Sequence, residues 1–196
     1  MIEVKDIHKK FGPIHAVRGV SFSVGKGEVL GFLGPNGAGK TTTMRMITGF
    51  IPPTTGSASV CGFDVAREPV EVKSRIGYLP ENAPAYHSMA VRSFLKFAGE
   101  LRGFRGSECG EKVDAAIKKC RLDKVAGQTI GTLSKGYKQR VCFAQAILHD
   151  PEVLIMDEPT DGLDPNQKHV VRQMIREMAA DKAIIVSTHI LEEVDA

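Results

Sequence analysis

The chain has 196 residues, with 26 lysines and arginines against 23 aspartates and glutamates, and a formal net charge of +3. That length accommodates one substantial α/β core with a smaller insertion and is short for two independent domains. The near-balanced charge contains no basic block of the kind that marks a nucleic-acid arm, and no apolar run approaches the roughly 20 residues needed to span a bilayer.

The N-terminus MIEVKDIHKK has no apolar signal core, so the chain is expected to be soluble and cytosolic. Ile2–Val4 and Gly19–Val24 alternate apolar and polar residues around a turn at Gly12-Pro13, as strands with one buried face do. They predict an antiparallel β layer ahead of the core. Phe11 lies in this layer, where its ring could fill the core or stack on a base at the edge of a nucleotide site.

The apolar run Val29–Leu33 then enters Gly34-Pro35-Asn36-Gly37-Ala38-Gly39-Lys40-Thr41-Thr42, which precedes the apolar Met44, Met46 and Ile47. A strand, a glycine-rich turn and a helix in that order form a phosphate cradle, because glycines let successive N–H groups converge on an anion at the helix start. Gly34, Gly39, Lys40 and Thr41 fill the GxxxxGK[ST] template. Lys40 can then reach the β- and γ-phosphates, and the Thr41 hydroxyl can complete a Mg²⁺ shell. The expected ligand is a nucleoside triphosphate with magnesium.

A helix is predicted over 41–48, closed by Gly49, with a turn at 51–56 and short strands at 57–60 and 75–79. From about Ala90 to Leu148 the strand signal fades, and Val91–Leu101 and Glu111–Cys120 show helical spacing, predicting a helical insertion with Gly103–Ser107 as a connection. Ser134 is placed to cap the amphipathic stretch that follows, and such a helix start also offers N–H groups to an anion. Val153–Asp157 is a continuous apolar run closed by Asp157 and Glu158, as in a strand buried on both faces of a parallel sheet. At its carboxyl end Asp157 is placed to hold Mg²⁺, and Glu158 to orient or deprotonate an attacking water. A helix is predicted over 167–178. Ala183–Ser187 is a second buried strand, delivering His189, which could hydrogen-bond a γ-phosphate or be structural. Cys61, Cys109, Cys120 and Cys142 show no CxxC pairing, so free or buried thiols are expected rather than disulfides or a zinc site.

Taken together these residues resemble the nucleotide-binding domain of ATP-binding cassette (ABC) transporters across essentially the whole chain. In order stand an A-loop aromatic (Phe11), Walker A (Gly34–Thr42), a Q-loop region (Tyr78–Asn82), a signature (Leu133–Arg140), Walker B with its catalytic acid (Asp157, Glu158), a D-loop (Asp161–Asp164) and an H-loop (His189). The resemblance implies a single domain over 1–196. Its P-loop NTPase (RecA-like) core and β layer would take 1–82 and 150–196, and its helical subdomain 83–149. It also implies Phe11 as adenine stacker, Ser134 and Gly136 as γ-phosphate contacts, and His189 as the switch histidine. The signature reads LSKGYKQR, with Lys135 and Tyr137 in place of a glycine and the glutamine of LSGGQ, and Glu81 replaces the Q-loop glutamine, where a carboxylate could bind magnesium or water. Both variants resemble ATPase subunits of ABC-2 type exporters. That family implies ATP hydrolysis in a head-to-tail dimer, a separate transmembrane permease, no direct nucleic acid, and a peripheral place at the inner face of the cell membrane. The other readings are a soluble ABC ATPase acting on ribosomes or DNA, which usually carries two cassettes or long coiled-coil insertions, and a regulatory module without turnover.

Overall fold

The computed structural model describes residues 1–189. In chain order, β1 (Ile2–Phe11) and β2 (Ile14–Val24) form a hairpin, and β3 (Val29–Leu33) runs into α1 (Lys40–Ile47). Next come β4 (Thr55–Val60), β5 (Phe63–Asp64), α2 (Pro69–Arg75) and β6 (Ile76–Leu79). Three helices follow, α3 (Val91–Leu101), α4 (Gly106–Lys119) and α5 (Lys135–Ile147), and then β7 (Val153–Asp157), α6 (Pro165–Ala179) and β8 (Ala183–Thr188). These elements form two compact units, one from Met1–Pro80, Pro151–Pro159 and the run beginning at Glu177, the other from Glu81–Asp150 and Thr160–Arg176.

The first unit holds two four-stranded sheets. The antiparallel one has the order β2-β1-β4-β5, so the predicted β layer also takes strands from beyond the phosphate loop. The other has the order β3-β8-β7-β6, and its neighbouring strands run parallel. Ile2, Ile7, Met44, Met46, Ile47, Val153, Ile155 and Ile185 are fully buried in one shared core. Each such side chain contributes about 1.5–3 kcal/mol of burial. β1 is longer than its alternation predicts because a bulge, with Asp6 at φ 46, shifts the register between Val4 and Ile7 and moves the later side chains to the other face.

In the second unit α3 buries Val91, Phe94, Leu95 and Ala98, and α4 buries Cys109, Val113, Ala116 and Ile117, each a stripe at helical spacing. α4 starts at Gly106, ahead of its predicted start, because Gly106, Ser107 and Glu108 of its first turn carry no apolar signal. α5 is not amphipathic in this setting: Gly136 and Arg140–Ala144 are all buried. The buried Arg140 donates through Nη1 to the carbonyls of Arg121 at 3.1 Å and Cys120 at 3.5 Å, and its guanidinium lies 4.2 Å over the Tyr137 ring. Carbonyls at the end of α4 and an aromatic face thus meet part of the buried cation, while its Nε has no hydrogen-bond partner. All four cysteines are free, and burial pushes the Cys142 thiol up to about 11. No helix of the described residues is long and apolar enough to cross a membrane.

Candidate functional site

The sheet order explains how distant residues meet. β3, β8 and β7 lie side by side and parallel, so the residues that follow them leave along one edge. Those residues are the phosphate loop, His189, and Glu158 after Asp157. Ligands of open α/β sheets bind at that carboxyl edge.

The phosphate loop has the predicted conformation. Gly39 is left-handed (φ +89), and a Cβ there would meet the Ala16 carbonyl oxygen at 2.5 Å, so only glycine fits. α1 starts at Lys40 with Gly39 as its N-cap and no side-chain cap, which leaves helix-start N–H groups for an anion. Pro35, Asn36, Gly37 and Ala38 are exposed, while Gly34, Gly39, Lys40, Thr41 and Thr42 are half-buried. Lys40 folds back on the loop, donating through Nζ to the carbonyls of Gly34 at 2.5 Å and Pro35 at 3.3 Å. The same ammonium lies 3.4 Å from Glu158 Oε1, and both side chains are only 10% exposed.

Glu158 is held in an unusual way. Its φ of 50 puts a non-glycine residue in the left-handed region, a conformation that persists only where surroundings enforce it. Ser187 enforces it: the Glu158 N–H donates to Ser187 Oγ at 2.9 Å, and that hydroxyl donates to Asp157 Oδ1 at 2.5 Å. Ser187 is fully buried and pairs with Asp157 in the β7/β8 register. The sequence carries no sign of this role, which follows from strand register alone. His189 Nδ1 sits 3.0 Å from Glu158 Oε2, so Glu158 bridges an ammonium and an imidazole. Asp157 is buried, with Oδ2 lacking any hydrogen-bond partner. Burial, and then the Asp157 carboxylate, push the Tyr78 hydroxyl above its ordinary value. A buried carboxylate oxygen left without a donor is expensive unless a cation or donor meets it.

Phe11 ends β1 and is 48% exposed, with Lys9 Nζ 5.2 Å from the ring centroid. Its ring is therefore outside the core, which removes the core-filling alternative. In the second unit Ser134 caps α5, its Oγ accepting from the Tyr137 N–H at 3.5 Å, and Gly136 is buried. Glu81 is exposed at the start of that unit. Among the described residues no group of three or more histidines, cysteines or carboxylates is placed to hold a metal ion by itself.

The family model described as "ABC transporter" matches residues 17–161. The ABC transporter ATP-binding protein NatA of Bacillus subtilis (strain 168) is 38% identical over 202 residues, covering 100% of this chain and 82% of that protein. The Nod factor export ATP-binding protein I of Paraburkholderia xenovorans (strain LB400) is 38% identical over 195 residues, covering 99% of this chain but only 64% of that protein. A solved ATP-binding subunit of an ABC transporter superposes with a TM-score of 0.86 at 31% identity, over 99% of this chain and 81% of the other. With the family model matching most of the chain and relatives of more than 30% identity covered over most of their length, the chain belongs to the ABC transporter family, as one of its ATP-binding, ATP-hydrolysing domains.

Proposed function

We propose that this domain powers export through a separate permease, hydrolysing ATP between two subunits. The observation that carries the reading is the convergence of Lys40, Glu158 and His189 at the ends of three adjacent parallel strands. Lys40 exchanges the Gly34 and Pro35 carbonyls for β- and γ-phosphate oxygens, and the phosphates take the free N–H groups at the start of α1. Thr41 and the unpaired Asp157 Oδ2 would hold Mg²⁺, and the ion would supply charge neutralisation of the β- and γ-phosphates. Phe11 stacks on the adenine. Glu158 accepts a proton from the water whose oxygen forms the new bond to the γ-phosphorus as the bond to the β-γ bridging oxygen breaks, and His189 meets the γ-phosphate.

The second anion-binding helix start, Ser134 and Gly136 on α5, would serve the triphosphate of a partner subunit in a head-to-tail homodimer. The reading predicts an ATPase rate per subunit that rises with protein concentration until dimers saturate. Equal rates per subunit at dilutions where light scattering sees monomers alone would overturn it.

The export reading draws on the Nod factor export relative and on an apolar groove of about 280 Å³ in the second unit. Tyr86, Phe94, Phe97, Ala98 and Leu101 line it, with Tyr86 57% and Leu101 73% exposed. A permease segment with apolar side chains would cover it and place the domain peripherally at the inner face of the cell membrane. Tyr86→Glu is expected to abolish co-purification with the permease while monomer ATP binding persists; undiminished co-purification would remove the groove from the interface.

A further inference from the structure

The signature turn and the turn that begins α6 both belong to the second unit. Lys135, standing where the family pattern has glycine, is the first residue of α5 and reaches across to the other turn. Its Nζ lies 3.7 Å from Asp161 Oδ2. It also lies so close over Gly162 that a Cβ at that position would collide with the ammonium, and Gly162 is itself left-handed (φ +61). The reciprocal contact comes from Gln167, in the first turn of α6. It packs over Gly136, where an added Cβ would meet its Cγ and Oε1 at 2.7 Å. Each turn therefore carries one long polar side chain into the gap that a glycine leaves in the other.

Both turns are braced from within. Asp164 Oδ1 accepts the N–H groups of Asn166 at 3.0 Å and Gln167 at 3.1 Å, fixing the start of α6, while Ser134 caps α5. Gln167 Oε1 is buried with no hydrogen-bond partner, so shape rather than hydrogen bonding holds it there. The Lys135–Asp161 pair is exposed, at 61% and 46% of the two side chains. Such a pair is weak, yet enough to select one arrangement of two turns that already fit together.

We propose that Lys135 and Gln167 are positioning residues that fasten the signature turn to the 160–164 turn, so that both meet a partner subunit's triphosphate as one piece. This rests on the reading that Ser134 and Gly136 serve the partner's nucleotide. It gives Lys135 a contact that the family's glycine, lacking a side chain, cannot make.

The test uses the full-length protein carrying Glu158→Gln, so that any ATP-bound dimer accumulates. Lys135→Met and Asp161→Asn are each expected to raise the ATP concentration giving half-maximal dimer about two- to fivefold, the range a pair of that strength allows. The double variant is expected to go no further than the larger single, with ATP binding to monomers unchanged. No shift in either single variant, or a double shift equal to the product of the two, would overturn the proposal. Hydrogen exchange on the monomer gives a second readout that needs no dimer. Amides of 134–138 and 160–164 are expected to exchange faster, and together, in Lys135→Met, Asp161→Asn and Gln167→Ala. Unchanged protection in either segment overturns the fastening. A Glu158→Gln parent that never dimerises with ATP counts against the two-subunit reading instead, and the exchange rates then decide the proposal by themselves.

Discussion

Glu158→Gln is expected to bind ATP as the unsubstituted protein does, to lose turnover by about 10²- to 10⁴-fold, and to accumulate as an ATP-bound dimer. The magnitude is that of removing a positioned proton acceptor. The amide keeps the shape of the carboxylate, and the backbone that aims it is held by Ser187 rather than by its own side chain, so the glutamine is delivered to the same place. What disappears is the base, together with half of the ion pair to Lys40. Steady-state phosphate release measures the first effect and light scattering with ATP the second. Unimpaired phosphate release would remove Glu158 from the chemistry. Adding Ser134→Trp should abolish the dimer while leaving ATP on the monomer, since Ser134 is exposed and far better able to obstruct a partner than to disturb its own core.

Lys40→Ala is expected to weaken ATP binding about ten- to hundredfold and to remove measurable hydrolysis. Hydrogen bonds to charged groups are worth about 1.5–3 kcal/mol each, and tenfold in affinity corresponds to about 1.4 kcal/mol. Without nucleotide, Lys40 is held by two loop carbonyls and Glu158. The alanine variant therefore also removes the ammonium from Glu158 and leaves its contact with His189 in place. Titration with a fluorescent ATP analogue reads the affinity. Affinity within twofold of the parent would mean that the backbone cradle alone holds the phosphates.

The parts of the site legible in the sequence are those whose chemistry is local. The phosphate loop needs glycine where the backbone turns left-handed and a lysine at a fixed spacing after it, and both needs are written within nine consecutive residues. Asp157 and Glu158 were legible because a doubly buried strand leaves a continuous apolar run in front of its terminal acids. Ser187 was not, since its place between Asp157 and Glu158 depends on which residue of β8 lies opposite which residue of β7, a matter of register rather than of pattern. Lys135 looked like a plain departure from the family's glycine, because its counterparts, Asp161 and Gly162, lie in another segment. At the level of elements, α2 was hidden by its seven-residue length, and the later part of β1 by the bulge that breaks its alternation. The helices α3 and α6 were visible because their apolar spacing runs for three turns or more.

β8 lies between β3 and β7 in space yet follows both in the chain. During synthesis the strands bearing the phosphate loop and the carboxylate pair can therefore exist long before they can be neighbours, with a gap between them waiting for residues 183–188. A nascent chain arrested before that point would have its lysine and its glutamate but no competent pocket. Nucleotide capture should thus switch on only once residues 183–188 have left the ribosome and taken their place between the two strands.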